Sequence, residues 1–206
     1  MDYLPDNLRR GLSPVGRLDK DTEGLLLITD DGALNHSLLA PGRHVPKTYY
    51  ARIHGIVTEA DITAFKNGLD IGEKKMTAPA ALKILHIVEN EQTSEILVTI
   101  TEGKFHQVKR MFQSVGKKVS YLKRLSMGSL HLDEKLTPGA WRELTLEEIT
   151  KIEGRNNMMI EQKEAVIFDL DGTMTDSMWI WEEIDQDFFR QQGLPCRNIS
   201  MKKSRE

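Results

Sequence analysis

The sequence predicts an α+β fold for this 206-residue chain. Runs rich in β-branched and aromatic residues, which are typical of strands, occur among helical patterns in an irregular order. This order favours a sheet with flanking helices over a doubly wound fold, in which strands and helices alternate. The hydrophobic and charged fractions, 39% and 29%, are those of a globular chain that can bury its own core.

Helices are predicted where apolar residues recur at helical spacing or where capping residues occur. Pro5 stands in the first turn of one helix, and Thr58 with Asp61 forms a variant of the capping box that begins another. The core face of a longer helix consists of Val108, Met111, Phe112 and Val115. The predicted helices cover residues 2–10, 33–39, 58–69 and 104–115, and a last one with a Thr-x-x-Glu cap ends at residue 153.

Strands are predicted between these helices. The apolar run 25–28 ends in an Asp-Asp-Gly turn and is expected to be a buried strand. Gly116 ends the longer helix, so that a long strand is expected to follow it. The other predicted strands cover residues 45–53, 80–88, 96–101 and 119–132, and a short one begins at residue 141.

A polar stretch over residues 154–163 predicts a linker after a first domain of residues 1–153. The apolar strand 165–168 and the helix that follows it predict a second, truncated strand-helix unit over residues 164–195. The polar, basic tail 196–206 is expected to be disordered. The single Cys196 excludes an internal disulfide, and no signal segment or membrane-spanning apolar run is present in the sequence. We therefore expect a cytoplasmic protein that does not act in a membrane.

An acid-bearing loop leads directly into the predicted strand 25–28. Its sequence is Gly16-Arg17-Leu18-Asp19-Lys20-Asp21-Thr22-Glu23-Gly24. Arg17 beside Asp19 would keep the carboxylate ionised, as a nucleophile or a general base requires. A surface turn with a solvated Asp-Arg pair is the alternative that the residues alone leave open.

Seven basic residues and no acidic one lie between residues 104 and 124, in a chain whose net charge is −3. This cluster suits a phosphate backbone, although a solvated helix face is the alternative. Tyr49 is the aromatic candidate for contact with an extruded base, although a strand tyrosine is more often a core residue. Further cations that favour RNA as the partner are Arg17, Lys20, Lys47 and Arg52.

Three motifs resemble those of the pseudouridine synthases, in the branch that modifies small-subunit ribosomal RNA. They are the loop around Asp19 with the Leu25-Leu26-Leu27 run, Lys47-Thr48-Tyr49, and Glu102-Gly103-Lys104-Phe105-His106-Gln107-Val108-Lys109-Arg110. The resemblance covers residues 1 to about 150 and implies a mixed, largely antiparallel sheet with flanking helices. It also implies that Asp19 is catalytic, that Tyr49 stacks on the target uracil and that Lys109 pairs with Asp19.

The implied reaction isomerises a uridine in ribosomal RNA, expected to be 16S rRNA, and needs no metal or other cofactor. Asp19 would attack C1′ of the ribose or remove a proton from C2′, and the sequence leaves both open. Ribosomal RNA is the expected partner of a monomeric enzyme, and a catalytically silent RNA-binding remnant is the alternative. The residues expected to contact RNA are Arg17, Lys20, Lys47, Lys104, His106, Gln107, Arg110, Lys123 and Arg124.

Two features usual in this branch have no counterpart in the sequence. They are an N-terminal RNA-binding domain of the S4 type and a first strand with an Asn-Lys-Pro motif. Without that strand we expect one edge of the sheet to be unpaired, which would weaken the fold.

A second resemblance follows the predicted strand 165–168, in Asp169-Leu170-Asp171-Gly172-Thr173. This run resembles the first motif of haloacid dehalogenase-type phosphatases, in which the first Asp is the phosphoryl nucleophile, the second is the acid/base and both help to hold Mg²⁺. Because the later motifs of that fold are missing, Asp169 and Asp171 are expected to be vestigial. They would belong to a fragment of a Rossmann-like α/β fold, explained by a frameshifted gene fusion. A Mg²⁺-dependent phosphatase is the third functional alternative.

Overall fold

The computed structural model describes residues 11–153 and the backbone of residues 165–170. Within these ranges nine strands form one sheet. The strands are β1 (Ser13–Pro14), β2 (Glu23–Thr29), β3 (Lys47–His54), β4 (Ala81–Val88), β5 (Thr93–Ile100), β6 (Lys118–Met127), β7 (Leu130–His131), β8 (Trp141–Glu143) and β9 (Ala165–Leu170). The helices are α1 (Gly32–Leu39), α2 (Glu59–Asn67), α3 (Gln107–Ser114) and α4 (Leu146–Glu153), with short 3₁₀ turns at Pro41–Arg43 and Glu89–Glu91. The helix, linker and tail predicted over residues 2–10, 154–163 and 196–206 lie outside the described residues.

The sheet is mixed and largely antiparallel. Its order is β4-β5-β3-β6-β2-β9-β8, with β1 paired to β2 and β7 paired to β6. Strands β2 and β6 run parallel through the pairs Glu23–Lys123 and Gly24–Arg124, and the other described pairings are antiparallel. The predicted α+β class and mixed sheet are therefore confirmed.

Two groups of buried side chains support the sheet. The larger group joins α2 and α3 to strands β3–β6, and the rings of Phe65 and Phe112 meet there with centroids 4.8 Å apart. Met111 is fully buried in this group, as the predicted core face of α3 requires. The smaller group joins α1 to β2 and includes Leu27 and Leu34. Both β2 and α3 are thus anchored by apolar packing, which gives the residues next to them a fixed position.

Capping residues begin α2 and α4 as predicted. The Thr58 N–H donates to Asp61 Oδ2 at 2.7 Å, and Thr145 exchanges two hydrogen bonds with Glu148. Asp61 also accepts from Lys117 Nζ at 2.8 Å, and the two side chains are 7% and 15% exposed. Burial raises the pKa of Asp61, but hydrogen bonds from Lys117 and Thr58 outweigh it and leave the pKa below its ordinary value. This ion pair ties the start of α2 to the residue before β6.

Two elements differ from their predictions. The single strand expected over residues 119–132 is the hairpin of β6 and β7, because Gly128 turns the chain at φ +59° and its N–H donates to Pro46 O at 2.8 Å. The helix expected from residue 104 begins instead at Gln107. Its side-chain oxygen accepts from Lys104 N at 2.9 Å, which stabilises a turn ahead of the helix.

Strand β9 pairs with β2 and β8 in the sheet that carries the other strands. It runs antiparallel to β2 from Gly24–Leu170 to Thr29–Ala165, and to β8 from Trp141–Phe168 to Glu143–Val166. Strand β9 therefore supplies partners for the backbone groups of β2 on the side away from β6.

The position of β9 also changes the predicted domain boundary. The sequence places this strand in a second unit beyond a linker, whereas its backbone belongs to the sheet of residues 11–153. Asp171 and the helix predicted after it lie outside the described residues. The phosphatase resemblance and the Rossmann-like fragment therefore stay predictions.

Candidate active site

Asp19 lies on the loop between β1 and β2. The Thr22 N–H donates to Asp19 O at 2.9 Å, which closes a tight turn just before β2, and the Asp19 side chain is 26% exposed. At the end of this loop β2 and β6 approach each other closely. A Cβ on Gly24 would stand 2.3 Å from Arg124 O, and Gly24 has a φ of +100°. Only glycine fits such an approach, which fixes the end of the loop against the sheet.

Lys109 on α3 binds two carboxylates of this loop. Its Nζ is 3.3 Å from Asp19 Oδ2 and also donates a hydrogen bond to Asp21 Oδ1. The first distance agrees with the ion pair that the family resemblance implies. The hydrogen bond from Lys109 also holds the pKa of Asp21 below its ordinary value. One ammonium group thus compensates two acids, and Asp19 keeps an accessible side chain beside it.

A braced turn brings His106 to the other oxygen of Asp19. His106 has a φ of +48°, a conformation that non-glycine residues adopt rarely and mostly where the surroundings enforce it. Its Nε2 is 3.7 Å from Asp19 Oδ1, beyond hydrogen-bond distance. Its ring stacks on Phe105, with centroids 3.8 Å apart and an interplanar angle of 21°. Gln107 braces the turn by donating to Glu102 Oε1 at 2.7 Å.

Tyr49, Lys47 and Arg124 lie on the neighbouring strands β3 and β6. Tyr49 is 8% exposed and belongs to the larger core group. Burial, followed by the charge of Arg124, lowers the pKa of Lys47, whose Nζ donates to Val45 O at 3.2 Å. Arg124 pairs with Tyr49 across the strands, is 2% exposed and donates from Nε to Leu25 O at 2.8 Å. Arg124 therefore departs from the prediction of an RNA contact, because in this structure it stabilises β2 from the interior.

The other predicted RNA contacts divide into accessible and internal side chains. Gln107 is 4% exposed, and the Arg110 guanidinium donates to Glu73 at 2.7 Å and to the carbonyl oxygens of Ile71 and Phe105. Both residues support the turn, although the Arg110 side chain keeps 25% of its surface exposed. The other side chains with accessible surface are Arg17, Lys20, Lys104, His106 and Lys123.

Two residues of this site were not predicted from the sequence. Asp21 shares the ammonium of Lys109 with Asp19, and the Asp-x-Asp spacing in the loop was the signal that could have found it. Phe105 is 71% exposed, more than any other large hydrophobic side chain among the described residues. Its position between Lys104 and His106 in the third motif was the only sequence signal for it.

Neither a cluster of metal ligands nor a membrane-spanning helix occurs in the described part of the chain. Within residues 11–153 and 165–170, no three His, Cys, Asp or Glu side chains cluster as metal ligands. No helix in the same ranges combines the length and the apolar character that a membrane crossing needs.

Curated relatives resemble about seven tenths of this chain. The uncharacterised RNA pseudouridine synthase YtzG of Bacillus subtilis is 48% identical over 145 residues, which are 70% of this chain and 60% of that protein. The ribosomal small subunit pseudouridine synthase A of Salmonella typhimurium is 40% identical over 151 residues, which are 73% of this chain and 63% of that protein. The enzyme of the same name from Escherichia coli is 38% identical over 151 residues, with the same two coverages. The chain thus spans about three fifths of the length of these relatives.

A solved structure and a family model agree with these relatives. The solved structure, described as a pseudouridylate synthase, has a TM-score of 0.69 and 41% sequence identity, and the match covers 73% of this chain and 64% of that one. The model of the RNA pseudouridylate synthase family matches residues 1–114, which include Asp19, Tyr49 and Lys109. The chain belongs to the RNA pseudouridylate synthase family.

Proposed function

We propose that this chain converts a uridine of small-subunit ribosomal RNA into pseudouridine. The observation that carries the proposal is the Asp19–Lys109 ion pair at 3.3 Å, on a partly exposed loop inside the region that the family model matches. The names of the Salmonella and Escherichia relatives supply the substrate class. With this substrate, the site of action is the cytoplasm, where ribosomal RNA is processed.

The reaction is an isomerisation and consumes no second reactant. The bond between N1 of uracil and C1′ of the ribose breaks, the base turns, and a bond forms between C5 and C1′. The proton on C5 is then lost and N1 gains one, so that the atoms balance. Asp19 either forms a transient bond to C1′ or removes a proton from C2′, and both routes need an ionised carboxylate within reach of the ribose.

The neighbours of Asp19 keep that carboxylate oriented. Lys109 bonds it from α3, whose position is fixed by core packing, and Asp21 holds the other side of the same ammonium. Orientation by residues on a rigid scaffold is an efficient source of rate enhancement, because the reacting groups need no further ordering. The proposed contact of Tyr49 with the uracil requires the base to enter the structure beside β3, since Tyr49 is 8% exposed. Burial of the flipped base in this way also excludes water from the broken glycosidic bond.

Tritium release from C5 tests the proposal directly. Small-subunit ribosomal RNA transcribed with C5-tritiated uridine should release tritium with the wild-type chain and not with Asp19→Asn, while both bind the RNA equally. The isosteric substitution removes the charge and leaves the side-chain volume, so that folding should be unaffected. If the folded wild-type chain binds the RNA and releases no tritium, the alternative of a catalytically silent RNA-binding protein is correct.

The role of Lys109 has its own test. Lys109→Met leaves Asp19 and Asp21 as neighbouring carboxylates without their shared cation, and we expect tritium release to fall at least about 100-fold. Lys109→Arg keeps the charge and should retain a measurable fraction of the rate. Equal rates for the Met and Arg variants would show that the charge of Lys109 is not what the reaction uses.

A further inference from the structure

We propose that the exposed ring of Phe105, supported by His106, is a stacking platform for an RNA base that neighbours the target uridine. The proposal rests on the proposed function, because it takes RNA as the substrate. It assigns an RNA contact to a residue outside the three catalytic positions Asp19, Tyr49 and Lys109.

The geometry of Phe105 is that of a half-completed stack. His106 covers one face of the ring in a nearly parallel arrangement, at 3.8 Å between centroids and 21° between planes. The side chain is nevertheless 71% exposed, so that the opposite face is open to solvent. A single exposed apolar residue is common on protein surfaces. Here, however, one face of the Phe105 ring stacks on His106, and the opposite face can accept a further flat ring. A nucleobase is the flat group that extends such a stack.

The platform is rigid before any ligand arrives. Arg110 Nη1 donates to the carbonyl oxygen of Phe105 at 3.2 Å and also binds Glu73 at 2.7 Å. Gln107 ties the turn to the backbone of Lys104 at 2.9 Å. The left-handed conformation of His106 is held by these contacts. A preorganised contact surface loses little conformational entropy on binding, which favours recognition.

The charges around Phe105 favour RNA, rather than an apolar protein surface, as the partner of this ring. Lys104, the residue before Phe105, donates from Nζ to Lys75 O at 3.2 Å and to Met76 O at 3.0 Å, which holds the 74–76 segment against the Lys104 side chain. The segment adds the exposed cations Lys74 and Lys75 and the 58% exposed side chain of Met76. An aromatic face bordered by lysines is the usual composition of surfaces that bind single-stranded nucleic acid.

The contacts of His106 indicate which base Phe105 binds. The His106 ring stacks on Phe105, and its Nε2 is 3.7 Å from Asp19 Oδ1. The nucleotide at Asp19 is the flipped uridine, so a base on Phe105 belongs to an adjacent nucleotide of the same strand. Tyr49, which is 8% exposed, lies in the core and cannot offer an open face to this second base.

Substitutions at Phe105 test the platform. Phe105→Ala should weaken binding of a small-subunit ribosomal RNA fragment about 5- to 100-fold, because one base stack is lost. It should raise KM for tritium release by a similar factor and leave kcat within about threefold. Phe105→Trp should bind as well as the wild type, and Phe105→Leu, which keeps an apolar group without a ring, should behave like Phe105→Ala. Leu146→Ala, at a 61% exposed position on α4, is the matched control and should change neither value.

An RNA that lacks one base identifies the partner of Phe105. Once the modified uridine has been mapped from the wild-type reaction, abasic nucleotides are placed on either side of it. One of the two abasic nucleotides should weaken RNA binding by the wild type by the factor seen for Phe105→Ala. The same abasic nucleotide should not further weaken RNA binding by the Phe105→Ala variant. Wild-type affinity of Phe105→Ala for intact RNA would overturn the proposal and point to a protein partner for this surface. Wild-type RNA affinity of the Phe105→Leu variant would also overturn the proposal, because apolar contact without stacking would then be sufficient for binding. Absence of tritium release by the wild type would instead contradict the proposed function.

Discussion

Gly24→Ala probes the close approach of β2 and β6 beside the loop that carries Asp19. The added Cβ would meet Arg124 O at 2.3 Å, Arg124 N at 2.8 Å and Arg124 C at 3.0 Å, all backbone atoms that cannot rotate away. The positive φ of +100° adds conformational strain of about 1–3 kcal/mol. With an overpacking cost of similar size, we expect the free energy of unfolding to fall by about 2–6 kcal/mol. Such a loss is a large part of the stability of an ordinary domain.

Substitutions at two other glycines separate the cost of a positive φ from the cost of steric overlap by the added Cβ. Gly116 has a φ of +72°, and no atom lies within 4 Å of the position that a Cβ would take, so Gly116→Ala should cost only about 1–2 kcal/mol. Gly32, the first residue of α1, also has open space and has no positive φ. Gly32→Ala should therefore stabilise the protein by about 0.4–1 kcal/mol, because the unfolded chain loses freedom.

Urea unfolding of the three variants measures these differences. The expected order of stability is Gly32→Ala, wild type, Gly116→Ala and Gly24→Ala, with equal slopes against urea concentration. A Gly24→Ala variant no less stable than Gly116→Ala would refute the inferred contact between β2 and Arg124. Tritium release, measured under conditions where Gly24→Ala is folded, should also fall, because displacement of β2 moves the loop that carries Asp19.

Three further predictions concern stability. Lys117→Met leaves Asp61 buried without its cation, so urea unfolding should show that the free energy of unfolding falls by about 2–4 kcal/mol. The double variant Lys117→Met/Asp61→Asn should lose less stability than the sum of the losses of the two single variants. The hydrogen bonds from Arg142 lower the pKa of Glu148 to about 2. The stability that the ionised Glu148 contributes to the fold is therefore complete above its ordinary pKa of 4.5 and is lost as the pH falls towards 2. This contribution to stability is at most about 3 kcal/mol before solvent screening reduces it. The melting temperature of Glu148→Gln should therefore fall less steeply than that of the wild type over this pH range. A chain ended at residue 160 should lose hydrogen-exchange protection along residues 25–29 of β2 and along β8, whereas unchanged protection there would contradict the pairing with β9.

Local sequence signals predicted the parts of the fold that depend on neighbouring residues. The capping pairs Thr58–Asp61 and Thr145–Glu148 begin their helices, because the required donors and acceptors are three residues apart. The apolar run before Asp30 is β2, and the loop ahead of it carries Asp19. Three motifs in order were sufficient to predict the family.

Features that depend on distant contacts could not be predicted in the same way. The charge of Arg124 suggested an exposed side chain, whereas its hydrogen bond to Leu25 O exists only because β2 and β6 run side by side. The bend at Gly128 lies within a run that has strand character on both sides. Exposure of Phe105 depends on how the turn before α3 folds, and the same residue in a helix would have taken another direction.

The pairing of β2 with β9 has a consequence for folding during synthesis. Residues 24–29 leave the ribosome long before residues 165–170, and domains begin to fold from the N-terminal side as they emerge. Until β9 is made, β2 presents an open row of backbone donors and acceptors beside the loop that bears Asp19. Pairings between segments so far apart in the chain also form slowly. Completion of the sheet beside the Asp19 loop is therefore a late event, and the nascent chain is most exposed to strand-mediated association before that step.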